Sequence, residues 1–219
     1  MTTLRAAIIP VTPFQQNCTI VFDEETKHGV VIDPGGDLDQ IGAAIEELGL
    51  TIDTILLTHG HIDHAAGADQ LREGLGVEIV GPHEADKPLL DNLETQGAAY
   101  GIAGARNVTP DRWLNEGDSV EIAGHAFEVM HCPGHSPGSV VFVNKPAKFA
   151  IVGDVLFRGS IGRTDLFGGD FDTLAKSIRE KLFPLGDDVS FLCGHGPGGS
   201  IGEERRTNPF VGENAQGIA

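Results

Sequence analysis

The sequence predicts an α/β fold in which two β-sheets pack face to face and helices cover the outer faces. Three observations predict it. Short apolar, β-rich runs recur in both halves of the chain, amphipathic stretches at helical spacing follow them, and polar clusters stand where the runs end. Two facing sheets would bury such runs and bring the strand ends to one edge.

Residues 6–9, 19–22 and 29–32 read as strands of a first sheet, the last ending at the turn signal Asp33-Pro34-Gly35-Gly36. Leu38, Ile41, Ile45 and Leu48 then recur at three- and four-residue spacing, with Asp37 as cap and Gly49 as stop, which predicts an amphipathic helix. The run Thr54-Ile55-Leu56-Leu57 predicts a strand that leads straight into Thr58-His59-Gly60-His61-Ile62-Asp63-His64. Residues 65–75 are expected to form one helix, 77–80 a strand and 82–100 a mixed, helical excursion. From Ser119 the pattern returns to β, with runs at 120–122, 126–130, 140–143 and 149–152 between Gly- and Pro-containing turns. A helix over 172–183, a strand over 189–192 and the loop Cys193-Gly194-His195-Gly196 complete the second half.

A length of 219 residues suffices for one core that buries roughly 70% of the unfolded surface, so a single domain over residues 1–219 is expected. The 32 acidic and 15 basic residues give a net charge of −17, which repels nucleic acid and anionic membrane surfaces. No apolar run approaches the ~20 residues that span a bilayer. The first 17 residues carry only Arg5 as a base and are interrupted by Pro10 and Pro13, which makes a poor signal peptide. Cys18, Cys132 and Cys193 are odd in number and widely spaced, so a reducing cytoplasm is expected rather than a disulfide framework, and Cys132, near His135, reads as a buried, inert thiol rather than a catalytic one.

Five of the nine histidines, His59, His61, His64, His135 and His195, fall in loops after strands. Close imidazoles repel when protonated and are useful together mainly when a cation shares them. Residues two apart in an extended loop point the same way, so His59 and His61 suit one ion, while Asp63 and His64 can face another. With His135, Asp154 and His195 the candidates number seven, too many for one zinc. Two divalent ions resolve the count: His59, His61 and His135 on one, Asp63, His64 and His195 on the other, Asp154 bridging, and room for a shared hydroxide as nucleophile. Asp63 and Asp154 are the catalytic candidates, Asp154 orienting the pair and Asp63 aligning the proton of the hydroxide. Gly153 and Gly194 are expected to permit tight turns. Zinc is the expected metal, with iron or a mixed pair as the alternative.

The motifs T-H-x-H-x-D-H at Thr58 to His64, P-G-H-S-P-G at Pro133 to Gly138, Gly153-Asp154 and Gly194-His195-Gly196 resemble the metallo-β-lactamase superfamily over roughly residues 4 to 210. Pro13-Phe14-Gln15-Gln16-Asn17-Cys18 and the stretch from Phe157 to Asp165 resemble its small, single-domain glyoxalase II-like members. The resemblance implies an αββα sandwich with metals at one edge and hydrolysis of a small-molecule S-acylglutathione thioester such as S-lactoylglutathione. Two-domain glyoxalase II has a C-terminal helical domain that helps to bind glutathione; none is expected here, and weaker glutathione dependence follows. The sequence also resembles persulfide dioxygenases, which would use one iron at His59, His135 and Asp154. A lactonase or other ester hydrolase of the same fold and a non-enzymatic metal-dependent binding module are further alternatives.

Arg158 and Arg163 follow Asp154 closely enough to line the pocket and to pair with a substrate carboxylate, a structural ion pair being the other reading. His28, His83, His125 and His131 have no partners at ligand spacing and read as ordinary surface or hydrogen-bonded histidines. Arg205 and Arg206 read as part of a solvated face.

Overall fold

In a computed structural model, which describes residues 4–215, strands β1 (Leu4–Val11), β2 (Gln16–Asp23) and β3 (His28–Ile32) form an antiparallel meander. Helix α1 (Leu38–Leu48) crosses to β4 (Thr51–Leu56), parallel to β3, and helices α2 (Ile62–Ala65) and α3 (Ala68–Leu75) lead to β5 (Glu78–Val80), parallel to β4. The excursion carries α4 (Lys87–Leu90) and α5 (Leu93–Tyr100). Strands β6 (Ser119–Ile122), β7 (His125–His131), β8 (Val140–Asn144) and β9 (Phe149–Ile151) make an antiparallel second sheet. A small hairpin, β10 (Leu156–Phe157) and β11 (Ser160–Ile161), stands apart from both sheets. After α6 (Phe171–Ser177), β12 (Ser190–Leu192) joins β9 in parallel, and β13 (Gly199–Ser200) and α7 (Ile201–Thr207) close the second half. No helix among the described residues is long and apolar enough to cross a membrane.

Three apolar layers hold the sheets and helices together, and strand alternation assigns side chains to them. Val30, Ile32 and Leu56 meet Val120, Phe127, Val140 and Phe142 between the sheets. The alternate residues Ile20, Val31 and Ile55 pack outward against Ile41 and Ile45 of α1. Val141 and Val143 likewise pack outward against Leu174 of α6 and Ile201 of α7. Strands buried on both faces read as continuous apolar runs, which is why their positions show in the sequence without alternation.

Three local expectations are corrected. Residues 65–75 are not one helix: the chain breaks at Gly67, whose N–H donates to Pro34 O at 3.0 Å and where a Cβ would lie 2.6 Å from that oxygen. Asp37 precedes α1 but caps nothing with its side chain; it sits in the left-handed region at φ 48° and accepts a hydrogen bond from Thr12 N at 2.7 Å. The 172–183 segment is helical in two pieces, α6 and then a wider turn over Ile178–Leu182.

Candidate metal centre

Four loops meet at one edge of the sandwich, as each follows the end of a strand: β4 gives residues 58–61, β7 gives 132–139, β9 gives 152–154 and β12 gives 193–195. Backbone bonds sew them together. Val140 N donates to Thr58 O at 2.8 Å across the sheets, and Asn17, at the start of β2, holds the His195 loop through its N–H to Gly194 O (2.7 Å) and its amide to Cys193 O and Gly196 O. Asn17 thus ties the 13–18 stretch to the His195 loop.

The seven sequence candidates converge there. His59, His61 and His135 form one group whose nitrogens lie within ligand distance of each other, and Asp63, His64 and His195 form a second. His135 Nε2 faces both His59 Nε2 at 3.2 Å and His61 Nδ1 at 2.9 Å, an arrangement of lone pairs that a shared cation would satisfy. Asp154 spans the groups: Oδ1 lies 3.4 Å from His64 Nε2, and Oδ2 lies 3.6 Å from His135 Nε2 and 3.5 Å from His195 Nε2. Asp63 Oδ2 stands 3.1 Å from His195 Nε2. Buried polar atoms without a hydrogen-bond partner include His61 Nε2, His64 Nε2 and Asp154 Oδ1, so the residues present fit a pair of divalent ions.

Neighbours the sequence reading passed over set the tautomers. Asp33 accepts from Thr58 N (2.7 Å), Thr58 Oγ1 (2.6 Å) and His64 Nδ1 (2.9 Å). With its proton committed to Asp33, the Thr58 hydroxyl accepts from His59 Nδ1 at 3.0 Å, and the Arg163 carbonyl accepts from His135 Nδ1 at 2.8 Å. All three rings therefore keep their Nδ1 proton turned outward and leave Nε2 for the centre, which for His64 means giving up to a cation the second proton that Asp154 and Asp63 otherwise favour there. Asp86 is the other missed residue: wholly buried, it accepts from Gly60 N, Ser136 Oγ and Gly138 N at 2.7, 2.8 and 2.6 Å, clamping the His59–His61 loop to the His135 loop. Its sequence signal is slight, an acidic residue beside Glu84 and Lys87 just ahead of the apolar pair Leu89-Leu90.

The glycines do two different jobs. Gly153 has φ +51°, the expected turn, and a Cβ on it would press on Thr58. Gly194 is needed for clearance instead, since a Cβ there would overlap Asp154 Oδ1 and His64 Cε1.

Burial lowers the pKa of His59, His61 and His135, His61 to about 3, and neighbouring imidazoles add to the fall for all three. Burial opposes charge on His64 too, but the carboxylates of Asp154 and Asp63 outweigh it and hold that ring well above its ordinary value. Burial would raise Asp63, yet the charge of His64 and the hydrogen bond from His195 keep the carboxyl below its usual range. Burial pushes the Cys132 thiol to about 12 and Cys193 to about 11, and both cysteines, with Cys18, are free and buried.

A cleft of about 590 Å³ opens onto this floor, lined by His61, Asp63, His135, Asp154 and His195 below and by Phe14, Tyr100, Leu166 and Phe167 above. Arg163 lines it and forms a two-pronged ion pair with Asp165 at 2.7 and 2.8 Å. Arg158 does not line it. Arg158 sits in the turn of the β10–β11 hairpin beside Phe191, Glu203 and Glu204, while Phe157, Ser160 and Ile161 face the cleft. Of the remaining histidines, His28 pairs with Asp53, and His83 stacks on His131.

The pattern of ligands at the strand ends is that of a known family. The family description of the metallo-beta-lactamase superfamily matches residues 11–195. The chain belongs to that superfamily. Within it, the chain is 48% identical over 205 residues to the hydroxyacylglutathione hydrolase GloC of Haemophilus influenzae, covering 93% of this chain and 96% of that one. The crystal structure of the BLEG-1 B3 metallo-beta-lactamase matches with a TM-score of 0.86 at 36% identity, over 94% of this chain and 99% of its own. That of TTHA1623 in a di-iron-bound form matches at 0.83 and 37% identity, over 93% and 98%. The two mixed sheets and outer helices are the metallo-beta-lactamase fold, and the chain is a metallo-hydrolase of this superfamily.

Proposed function

We propose that the chain hydrolyses thioesters of the S-acylglutathione kind, S-lactoylglutathione among them, at a pair of divalent metal ions. The observation that carries this reading is the pairing of two three-residue groups across Asp154 on the floor of one open cleft. His59, His61 and His135 would hold one ion, Asp63, His64 and His195 the other, and Asp154 both. Similarity to the Haemophilus influenzae protein, whose name states that activity, supports the substrate class. Imidazole and carboxylate suit zinc and iron alike; we assign zinc, with iron or a mixed pair as the alternative that the similar di-iron structure supports. Three buried free thiols fit a reducing compartment, and we place the protein in the cytoplasm.

Two divalent ions in such a site supply a nucleophilic water near neutral pH and stabilise charge growing on the acyl oxygen. The water oxygen bonds to the acyl carbon, the C–S bond breaks, and the thiol leaves with a proton that came from the water. Asp63, ionised and lining the cleft, holds that proton on its carboxylate. Asp33, Thr58 and the Arg163 carbonyl hold the Nδ1 side of the rings of His64, His59 and His135, so that Nε2 is the atom turned to the centre. Gly194 leaves room for Asp154 to lie against His64.

A one-iron persulfide dioxygenase would need only His59, His135 and Asp154, and the equally close gathering of Asp63, His64 and His195 favours the hydrolase. Both chemistries are to be run on one preparation, following thiol release from S-lactoylglutathione and oxygen uptake with glutathione persulfide. Thiol release that stops on chelation and returns with added metal is expected. Oxygen uptake without thioester cleavage, in iron-loaded protein, would replace the hydrolase with the dioxygenase.

A further inference from the structure

Among the described residues the exposed large hydrophobics are Ile8, Phe14, Tyr100, Leu166 and Phe167, and all but Ile8 line the mouth of the cleft above the candidate metal centre. Scattered apolar side chains on a surface need no explanation, but four gathered around one cavity do. Tyr100 is 55% and Phe167 65% exposed, so their rings are available to whatever enters.

The rim is also built at a cost. Phe14 lies in the turn between β1 and β2, where Thr12 has φ +62° and Gln15 φ +54°. The left-handed region is unfavourable for any side chain and most of all for a β-branched one. Three bonds hold the turn: Asp37 takes Thr12 N, Thr12 Oγ1 takes Phe14 N, and Thr12 O takes Gln15 N. Asp37 thereby leaves α1 without a side-chain cap. The turn sets Phe14 edge-on against Tyr100 of α5, with centroids 5.9 Å apart at 72°. Leu166 and Phe167 reach the same mouth from the loop between β11 and α6.

Charge at the mouth is scarce. Arg163 is the one lysine or arginine lining the cleft among the described residues, and Asp165 already engages it through two bonds. Recognition of a thiol carrier by its carboxylates would call for free cations, whereas an apolar wall discriminates by the surface it covers.

We propose that this cleft selects its thioester by an aromatic or similarly large apolar acyl group seated among Phe14, Tyr100, Leu166 and Phe167. The proposal rests on the thioester-hydrolase reading and adds the acyl class to it. The thioester carbonyl then faces the metal floor, and the acyl substituent points outward along the rim. Contact that persists from ground state to transition state lowers KM first, so the preference should appear mainly there.

The test compares S-lactoylglutathione with S-mandeloylglutathione, which differ by a phenyl ring in place of a methyl, on metal-loaded protein. A ratio of kcat/KM of about tenfold or more in favour of mandeloyl is expected, most of it in KM, because a buried ring surface is worth at least one order of magnitude in affinity. Phe167→Ala and Tyr100→Ala are each expected to reduce that ratio severalfold, and Ile8→Ala, outside the cleft, to leave it unchanged. In parallel, calorimetry on metal-free protein compares S-benzylglutathione with S-methylglutathione, and the benzyl thioether is expected to bind at least tenfold more tightly. Equal efficiencies together with equal thioether affinities would overturn the proposal while leaving the hydrolase reading intact. Turnover of neither thioester would sink the hydrolase reading, and the thioether comparison would still decide the preference of the cleft. A concentration-dependent dimer that Phe167→Ala dissolves, with the mandeloyl ratio untouched, would reassign the rim to contact between copies of the chain.

Discussion

The chain contains two gatherings of histidine rings, and they are built in opposite ways. At the sheet edge, His59, His61, His64, His135 and His195 point nitrogens at common centres, and buried atoms such as His61 Nε2 and His64 Nε2 have no partner. On the neighbouring surface, His83 and His131 lie face to face, 4.1 Å apart and 12° from parallel. One nitrogen of each ring bonds the backbone instead: Ala85 N donates to His83 Nδ1 at 3.1 Å, and His131 Nε2 bonds the Pro137 carbonyl at 2.8 Å. Clustered histidines make a metal site only where their lone pairs converge and the protein leaves them unsatisfied.

The largest effect should come from removing the group both halves of the converging cluster share. Asp154→Ala is expected to lower thioester turnover by on the order of a thousandfold and to reduce bound metal at both positions, because no other carboxylate faces His64, His135 and His195 at once. Elemental analysis beside the activity assay checks it. Two ions retained per chain with near-normal turnover would remove Asp154 from the bridge.

Asp33 offers a milder way to disturb the same cluster, since it touches no other candidate ligand than His64 and acts on His59 through Thr58. Asp33→Asn would put an amide where two donors now arrive, and so should release the tautomers of both rings. A loss of roughly 10–100-fold in metal affinity is expected, read by competition with a chromophoric chelator. An unchanged affinity would show that the rings orient themselves without the buried carboxylate.

What could be read from the sequence follows from how far apart the interacting residues lie. The stretch from Thr58 to His64 is contiguous, so its density of ligand types and its place after a β run are both local signals. The three-layer packing was legible for the same reason, as each strand carries its own apolar run. Asp33 and Asp86 were not legible: one reads as a turn residue and the other as a helix-start acid, and their partners lie 25 to 52 positions away. Arg158 and Arg163 looked equivalent because one lies in the hairpin turn and the other beyond the hairpin, where no strand periodicity tells which side a residue faces. Gly67 looked helical because the oxygen that claims its N–H belongs to Pro34.

Asp86 separates the support of the converging cluster from its chemistry. Burial raises its pKa to about 6 even though bonds from Ser136, Gly60 and Gly138 favour the ionised form. A carboxyl raised in the folded state contributes most below its unfolded pKa of 3.8 and loses that contribution as pH rises through about 6. The stability advantage of the native chain over Asp86→Asn should therefore be larger at pH 4 than at pH 7.5, by up to about 3 kcal/mol for a shift of this size. Urea unfolding of metal-free protein at both values measures it, and the titration of the ligands cancels in the difference. An advantage that grows with pH would mean that the three donors, rather than burial, dominate the site.

The smallest effect belongs to the stacked pair. His83→Ala removes one face of the stack, but both rings are partly exposed and neither contacts a candidate metal ligand through its side chain. With the stack goes the bond from Ala85 N to His83 Nδ1, and the two together should cost about 1–2 kcal/mol. The backbone of His83 has a structural task, its N–H donating to Gly138 O at 3.1 Å beside the loop that carries His135, and alanine preserves that bond. Metal content and turnover are accordingly expected to stay within about twofold of the native values, since a lost ring–ring contact of this size leaves the ligands in place. A variant that folds normally yet binds less metal would erase the distinction between the two gatherings, because it would make the stacked rings part of the centre they only adjoin.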